Sequence, residues 1–139
     1  PGMTGSRIGV VLAALALHGA ALAGEVRVGV ELNKLEQADG ACRAFLVVEN
    51  PAPTDLETLT LDLVVFDGEG VIAERLAVEL APVRAEGMSV KAFDMTGLDC
   101  ARIGRILMNG VLACDADGAE APCAGPPAVS AHGDLPLID

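Results

Sequence analysis

The chain has 139 residues, 20 of them acidic and 9 basic, for a net charge of −11 at neutral pH; it has three Phe and neither Trp nor Tyr. So acidic a surface repels phosphate, which argues against nucleic acids and anionic membranes as partners. Without Trp or Tyr there are no stacking platforms for sugars or bases, and the core must rest on Val, Leu, Ile and Ala.

Met3 to Ala23 read as a cleaved signal peptide (residues 3–23). Arg7 is the only charged residue before Glu25, and Ile8 to Ala23 is apolar apart from small Gly residues and His18. The stretch ends in Ala21-Leu22-Ala23, a small-x-small pattern that places cleavage before Gly24. Its sixteen residues are short for a bilayer span, which needs about 20. No Cys stands at the cleavage point for lipid attachment, and a single Arg favours the general secretory route over the twin-arginine route. Cleavage leaves 116 residues, the size of one domain, with eight basic and all twenty acidic residues and a net charge of −12. The expected address is the periplasm, with no membrane insertion after cleavage.

Beyond Gly24 the signal is alternation. Val26, Val28, Val30 and Leu32 occupy every second position, a half-buried strand. In Ala41 to Glu49, Ala44, Leu46 and Val48 share one face while Phe45 and Val47 make the other apolar too, as in a central strand. Asn50-Pro51-Ala52-Pro53 ends it, since prolines this close cannot continue a ladder. Leu59, Leu61, Leu63 and Val65 form a third strand running to Phe66, and Asp67-Gly68 then signals a hairpin. Ile72, Leu76, Val78 and Leu80 carry the return, closed by Pro82. Gly87 to Asp94 is a fifth strand with Met88, Val90 and Ala92 on one face and Phe93 on the other. Thr96 is placed to cap a helical turn that carries Cys100, and Arg105 to Cys114 reads as a sixth strand. After Cys123 the Gly, Ala and Pro content reads as an exposed or partly disordered tail.

Short strands with turn signals about every 10 residues predict an all-β fold. It reads as an immunoglobulin-like antiparallel β-sandwich of six to seven strands over residues 24–123, preceded by the signal peptide and followed by a Pro/Gly/Ala-rich tail over 124–139; a small antiparallel barrel is the alternative. Four Cys, namely Cys42, Cys100, Cys114 and Cys123, read as two disulfides in an exported domain. Of three pairings, Cys114–Cys123 is favoured because DADGAEAP between them is a turn segment, which leaves Cys42–Cys100. The chain-entropy model assigns about 3 kcal/mol to the short loop and about 4 kcal/mol to the long one. No C-x-x-C spacing suggests a redox or zinc site.

Leu46 to Pro51 (LVVENP), Leu56-x-x-Leu59-x-Leu-x-Leu and the run from Val65 through Phe-Asp-x-x-Gly70 to Ile72 resemble small immunoglobulin-like modules of bacterial envelope proteins. More narrowly, GACRAFLVVENP, LDLVVFD and GRILMNGVLAC resemble a set of little-characterised exported proteins of alphaproteobacteria, over roughly Glu25 to Cys123. The resemblance implies a periplasmic address and a non-enzymatic accessory role beside another envelope protein, with a proton-driven Exb/Tol-type complex as one lead. It brings no defined site residues.

Candidate chemistry is thin. His132 is the only His beyond Gly24, and with Ser130 it makes no recognisable nucleophile–base motif. Acidic residues are spread over turns and strand faces, without the aromatics that accompany glycosidase sites. Asp115, Asp117, Gly118 and Glu120 invite a calcium reading, but Pro122-Cys123 interrupts any EF-hand pattern and a disulfide-closed loop is simpler. Met88, Met95 and Met108 could supply soft copper ligands, although Met88 and Met108 sit at apolar strand positions where Met usually fills core. Neither catalytic, cofactor-binding nor metal residues are assigned. The expectation is a non-catalytic protein-binding module that uses a sheet edge or the tail segment Asp134 to Asp139; a small carrier of a metal ion or ligand is the alternative.

Overall fold

The structure, a computed structural model, describes residues 27–139 and the isolated glycines Gly2, Gly5 and Gly9. Apart from Gly5 and Gly9, the expected signal peptide lies outside the described residues, as does Val26. Eight strands follow: β1 (Gly29–Ala38), β2 (Ala41–Asn50), β3 (Thr58–Asp67), β4 (Ile72–Glu79), β5 (Gly87–Thr96), β6 (Ile103–Asp115), β7 (Ala128–Ala131) and β8 (Leu137–Ile138). Two single 3₁₀ turns, Cys100–Arg102 and Ala121–Cys123, interrupt them.

The strands form two mixed four-stranded sheets, β5-β2-β1-β7 and β4-β3-β6-β8, eight strands where six to seven antiparallel ones are expected, because the C-terminal pairs are parallel. With β1, β2 and β5 on one layer and β3, β4 and β6 on the other, the order is that of an immunoglobulin-like sandwich. Its core is aliphatic, as the composition requires. Val30 and Leu32 of β1, Leu46 and Val48 of β2, Leu61 and Leu63 of β3, and Ile106 of β6 are all buried between the layers. Each such side chain contributes about 1.5–3 kcal/mol by leaving water.

Cys42 bonds Cys100 and Cys114 bonds Cys123, the pairing favoured from the sequence. The first ties β2 to the turn after β5; the second closes a loop of sequence separation 9. Two disulfides suit an oxidising, extracellular-type compartment. No described helix is long and apolar enough to cross a membrane.

Three readings change. The first strand runs on to Ala38 because a bulge at Asn33 shifts its register against β2, so Leu32 and Leu35 face inward three positions apart. Thr96 is the last residue of β5, and the 3₁₀ turn is capped by Asp99, whose carboxylate accepts the Ala101 N–H at 3.0 Å. The segment after Cys123 is not a tail. β7 pairs parallel with β1, and β8 pairs parallel with β6, where Leu137 is buried. Asp134 to Asp139 therefore folds back onto its own domain and closes one flank of the sandwich. The opposite flank is formed by β4 and β5, each paired on one side only.

Asn50 holds the corner beside β5. It is 1% exposed; its amide lies within hydrogen-bonding distance of the carbonyls of Thr54 (2.9 Å), Val83 and Arg84 (both 3.2 Å), and its Oδ1 accepts the Ala52 N–H. The strand end that the prolines announce is thus fastened to the segment leading into β5.

Candidate functional site

The residues considered for chemistry do not converge. His132 is exposed, and its backbone N–H donates to the Leu32 carbonyl, continuing the β1–β7 ladder. Ser130 is exposed on β7. Asp115, Glu120 and Gly118 border an open depression of about 480 Å³ beside the Cys114–Cys123 bridge. Among the described residues, no group of three or more His, Cys, Asp or Glu is placed to hold a metal ion. Met95 and Met108 are buried in the core, as filler. Met88 is not: it is 62% exposed, against the expectation from its strand position.

The two sheets differ on their outer faces. On the β3 sheet, Asp62 sits at the centre and is 5% exposed. Arg75 of β4 donates two hydrogen bonds to it, at 2.9 and 2.7 Å, and Asn109 of β6 donates a third at 2.8 Å. The Arg75 hydrogen bonds first, then that of Asn109, pull the Asp62 carboxyl from 3.8 to about 2, against the opposing effect of burial. Arg105 lies over the Phe66 ring at 4.6 Å, and Val64, between Asp62 and Phe66 on β3, is 7% exposed. Long polar side chains thus cover the centre of this face, while Ile72 of β4 and Leu112 of β6 are 61% and 58% exposed on the same sheet.

On the β2 sheet the registers set four rows across the outer face: Gly29, Glu49 and Met88; Glu31, Val47 and Val90; Lys34, Phe45 and Ala92; Glu36, Arg43 and Asp94. The middle rows are apolar on β2 and β5, and among the described residues no other element packs over them. Val90, like Met88, is 62% exposed, and Val47 and Phe45 are half-buried. Charges frame the patch. Arg43 donates to both Asp94 oxygens at 2.7 and 3.2 Å, raising its own pKa and lowering that of Asp94 through those hydrogen bonds. Lys34 lies 4.9 Å from the Phe45 ring.

Beyond this patch β5 presents an edge ten residues long that no strand among the described residues pairs with. Its core-facing side is Ser89, Lys91, Phe93 and Met95; Lys91 is half-buried and makes no ion pair among the described residues. Both phases of this strand carry apolar residues and one charge each, so alternation alone does not choose between them. The deciding signal is the partner. Asp94 has Arg43 opposite it on β2 and must stay outside with it, whereas Lys91 can run its stem along the open flank and leave its ammonium in water. The phase of Asp94 carries Met88, Val90 and Ala92 outward with it.

No protein-family model, curated protein or solved structure matches the chain.

Proposed function

We propose that this chain is a non-catalytic, periplasmic protein-binding module, an accessory partner of a cell-envelope complex. It accepts an extended segment of another envelope protein along the β5 edge. The observation that carries the reading is β5 itself: ten residues paired on one side only, with Met88 and Val90 held out beside the open ladder. Unpaired N–H and C=O groups on such an edge take up a strand by main-chain hydrogen bonding, and alternate side chains give the selectivity.

Lys91 defines the partner. A cation on the core-facing side of an edge strand is a device against indiscriminate edge-to-edge pairing. It favours an incoming segment with an acidic residue on that side and apolar residues on the side of Met88 and Val90. A proton-driven Exb/Tol-type complex is the first in which to look for such a segment.

A displayed library of ten-residue peptides panned on the disulfide-bonded protein tests this. The expected outcome is a consensus of alternating apolar residues with one Asp or Glu, binding about tenfold or more weakly to Lys91→Glu, as charge reversal at a desolvating pair should produce. Binding to Ala77→Glu, on the outer face of β4, should be unchanged. The absence of a consensus, or binding indifferent to position 91, would overturn the reading.

A further inference from the structure

We infer that the uncovered face of the β2 sheet is an interface with a second copy of this chain, the two sheets stacking face to face about a two-fold axis that runs across the strands. The inference concerns the sheet face; it shares Met88 and Val90 with the β5 edge proposed to bind a partner but leaves the open ladder and Lys91 unused.

The four rows make the face self-complementary in one orientation. An axis lying between the two apolar rows reverses the strands and exchanges those rows, setting Val47 against Phe45 and Val90 against Ala92 of the other copy. The same operation sets Lys34 against Glu31 and Arg43 against Glu49, each pair twice, because a two-fold contact repeats every interaction. Glu36 meets Gly29, which has no side chain to obstruct it, and Met88 meets Asp94, whose charge is already held by Arg43. Running the axis along β2 instead would set Arg43 on Arg43 and Glu49 on Glu49. The charges therefore select the crosswise axis, in which strands of stacked sheets stay within about 30° of each other.

The two sheets differ at the centres of their outer faces, although Ile72 and Leu112 give the second sheet exposed apolar surface of its own. Its central outer residues, Asp62 and Val64, are already buried by their own neighbours, whereas Met88 and Val90 are each 62% exposed. Size limits the strength. Four rows cover about 20 Å along the strands, and three strands about 10 Å between their outer axes. That is about 200 Å² per copy between backbone axes, below a standard specific interface even with side chains added, so the contact belongs to the weak, transient class and is populated at tens to hundreds of micromolar. Stacking places β5 over β5, so the dimer presents two open edges on the same flank.

Sedimentation equilibrium of the purified, disulfide-bonded protein from about 10 to 500 μM, which spans that range, tests the proposal. The wild type should dimerise, and Val90→Glu should be monomeric with an unchanged thermal midpoint. Arg43→Glu and Glu49→Arg should each dimerise about tenfold more weakly through like-charge contact. Mixed in equal amounts, these two variants should form a one-to-one dimer, since position 43 of one copy then meets its opposite at position 49 of the other in both contacts. Should Arg43→Glu lose its fold along with the Asp94 pair, Glu49→Arg mixed with Arg43→Gln must still associate more tightly than Glu49→Arg alone. A monomeric wild type at 500 μM, or no gain on mixing folded variants, would overturn the inference. Lys91→Glu should remain dimeric whether or not it binds peptide, so failure of the dimer and failure of the edge reading are separable.

Discussion

Asp62 shows how single side chains divide the two faces of this molecule. Two donors on different strands hold it charged, so the folded protein takes up its proton less readily than the unfolded chain. Its contribution to stability is whole above about pH 4 and is lost as the pH falls from 3.8 towards about 2. Urea unfolding followed between pH 5 and pH 2 should show a steeper loss in the wild type than in Asp62→Asn, which should be the less stable protein at pH 7. Equal slopes would mean that Arg75 and Asn109 leave the carboxyl unperturbed. This latch was not legible in the sequence. Arg75 lies thirteen residues from Asp62 and Asn109 forty-seven, and only the strand registers bring them together.

At the scale of elements, runs with a single apolar phase were readable and runs with two were not. β3 alternates Leu59, Leu61, Leu63 and Val65, and all four are buried. The Asp67-Gly68 hairpin and both disulfides also stood in the sequence, because turn residues and Cys spacing act locally. β1 was cut short since a bulge breaks its alternation, and the exposure of Met88 depends on the partner that Asp94 finds on β2. The C-terminal strands escaped for another reason. Gly and Pro give them a loop-like composition, and their pairing is parallel and nearly a hundred residues away in sequence for β7. Ordering of that segment is testable: Leu137→Ala should cost about 2–5 kcal/mol in thermal or urea unfolding, as for other buried Leu truncations. A change within about 0.5 kcal/mol, the range of ordinary surface substitutions, would mean that β8 does not pack.

For the whole molecule, the C-terminal segment seals one flank, the Asp62 latch occupies the centre of one face, and the other face and flank meet at β5. Composition excluded aromatic and phosphate-binding chemistry, and strand periodicity gave the sandwich. Neither could locate a binding surface, because exposure is set by what lies across the sheet. The central claim is that β5 is where another protein attaches. A photo-crosslinking amino acid at successive positions from Ser89 to Asp94, and at Ala77 on β4 as a control, in cells that express the protein, puts this to the test. Adducts with a second protein should rise and fall with a two-residue period along β5, map to one extended acidic-apolar segment, disappear on Lys91→Glu and be absent at Ala77. Adducts with no dependence on position, or none with any protein but a second copy of the chain, would contradict it.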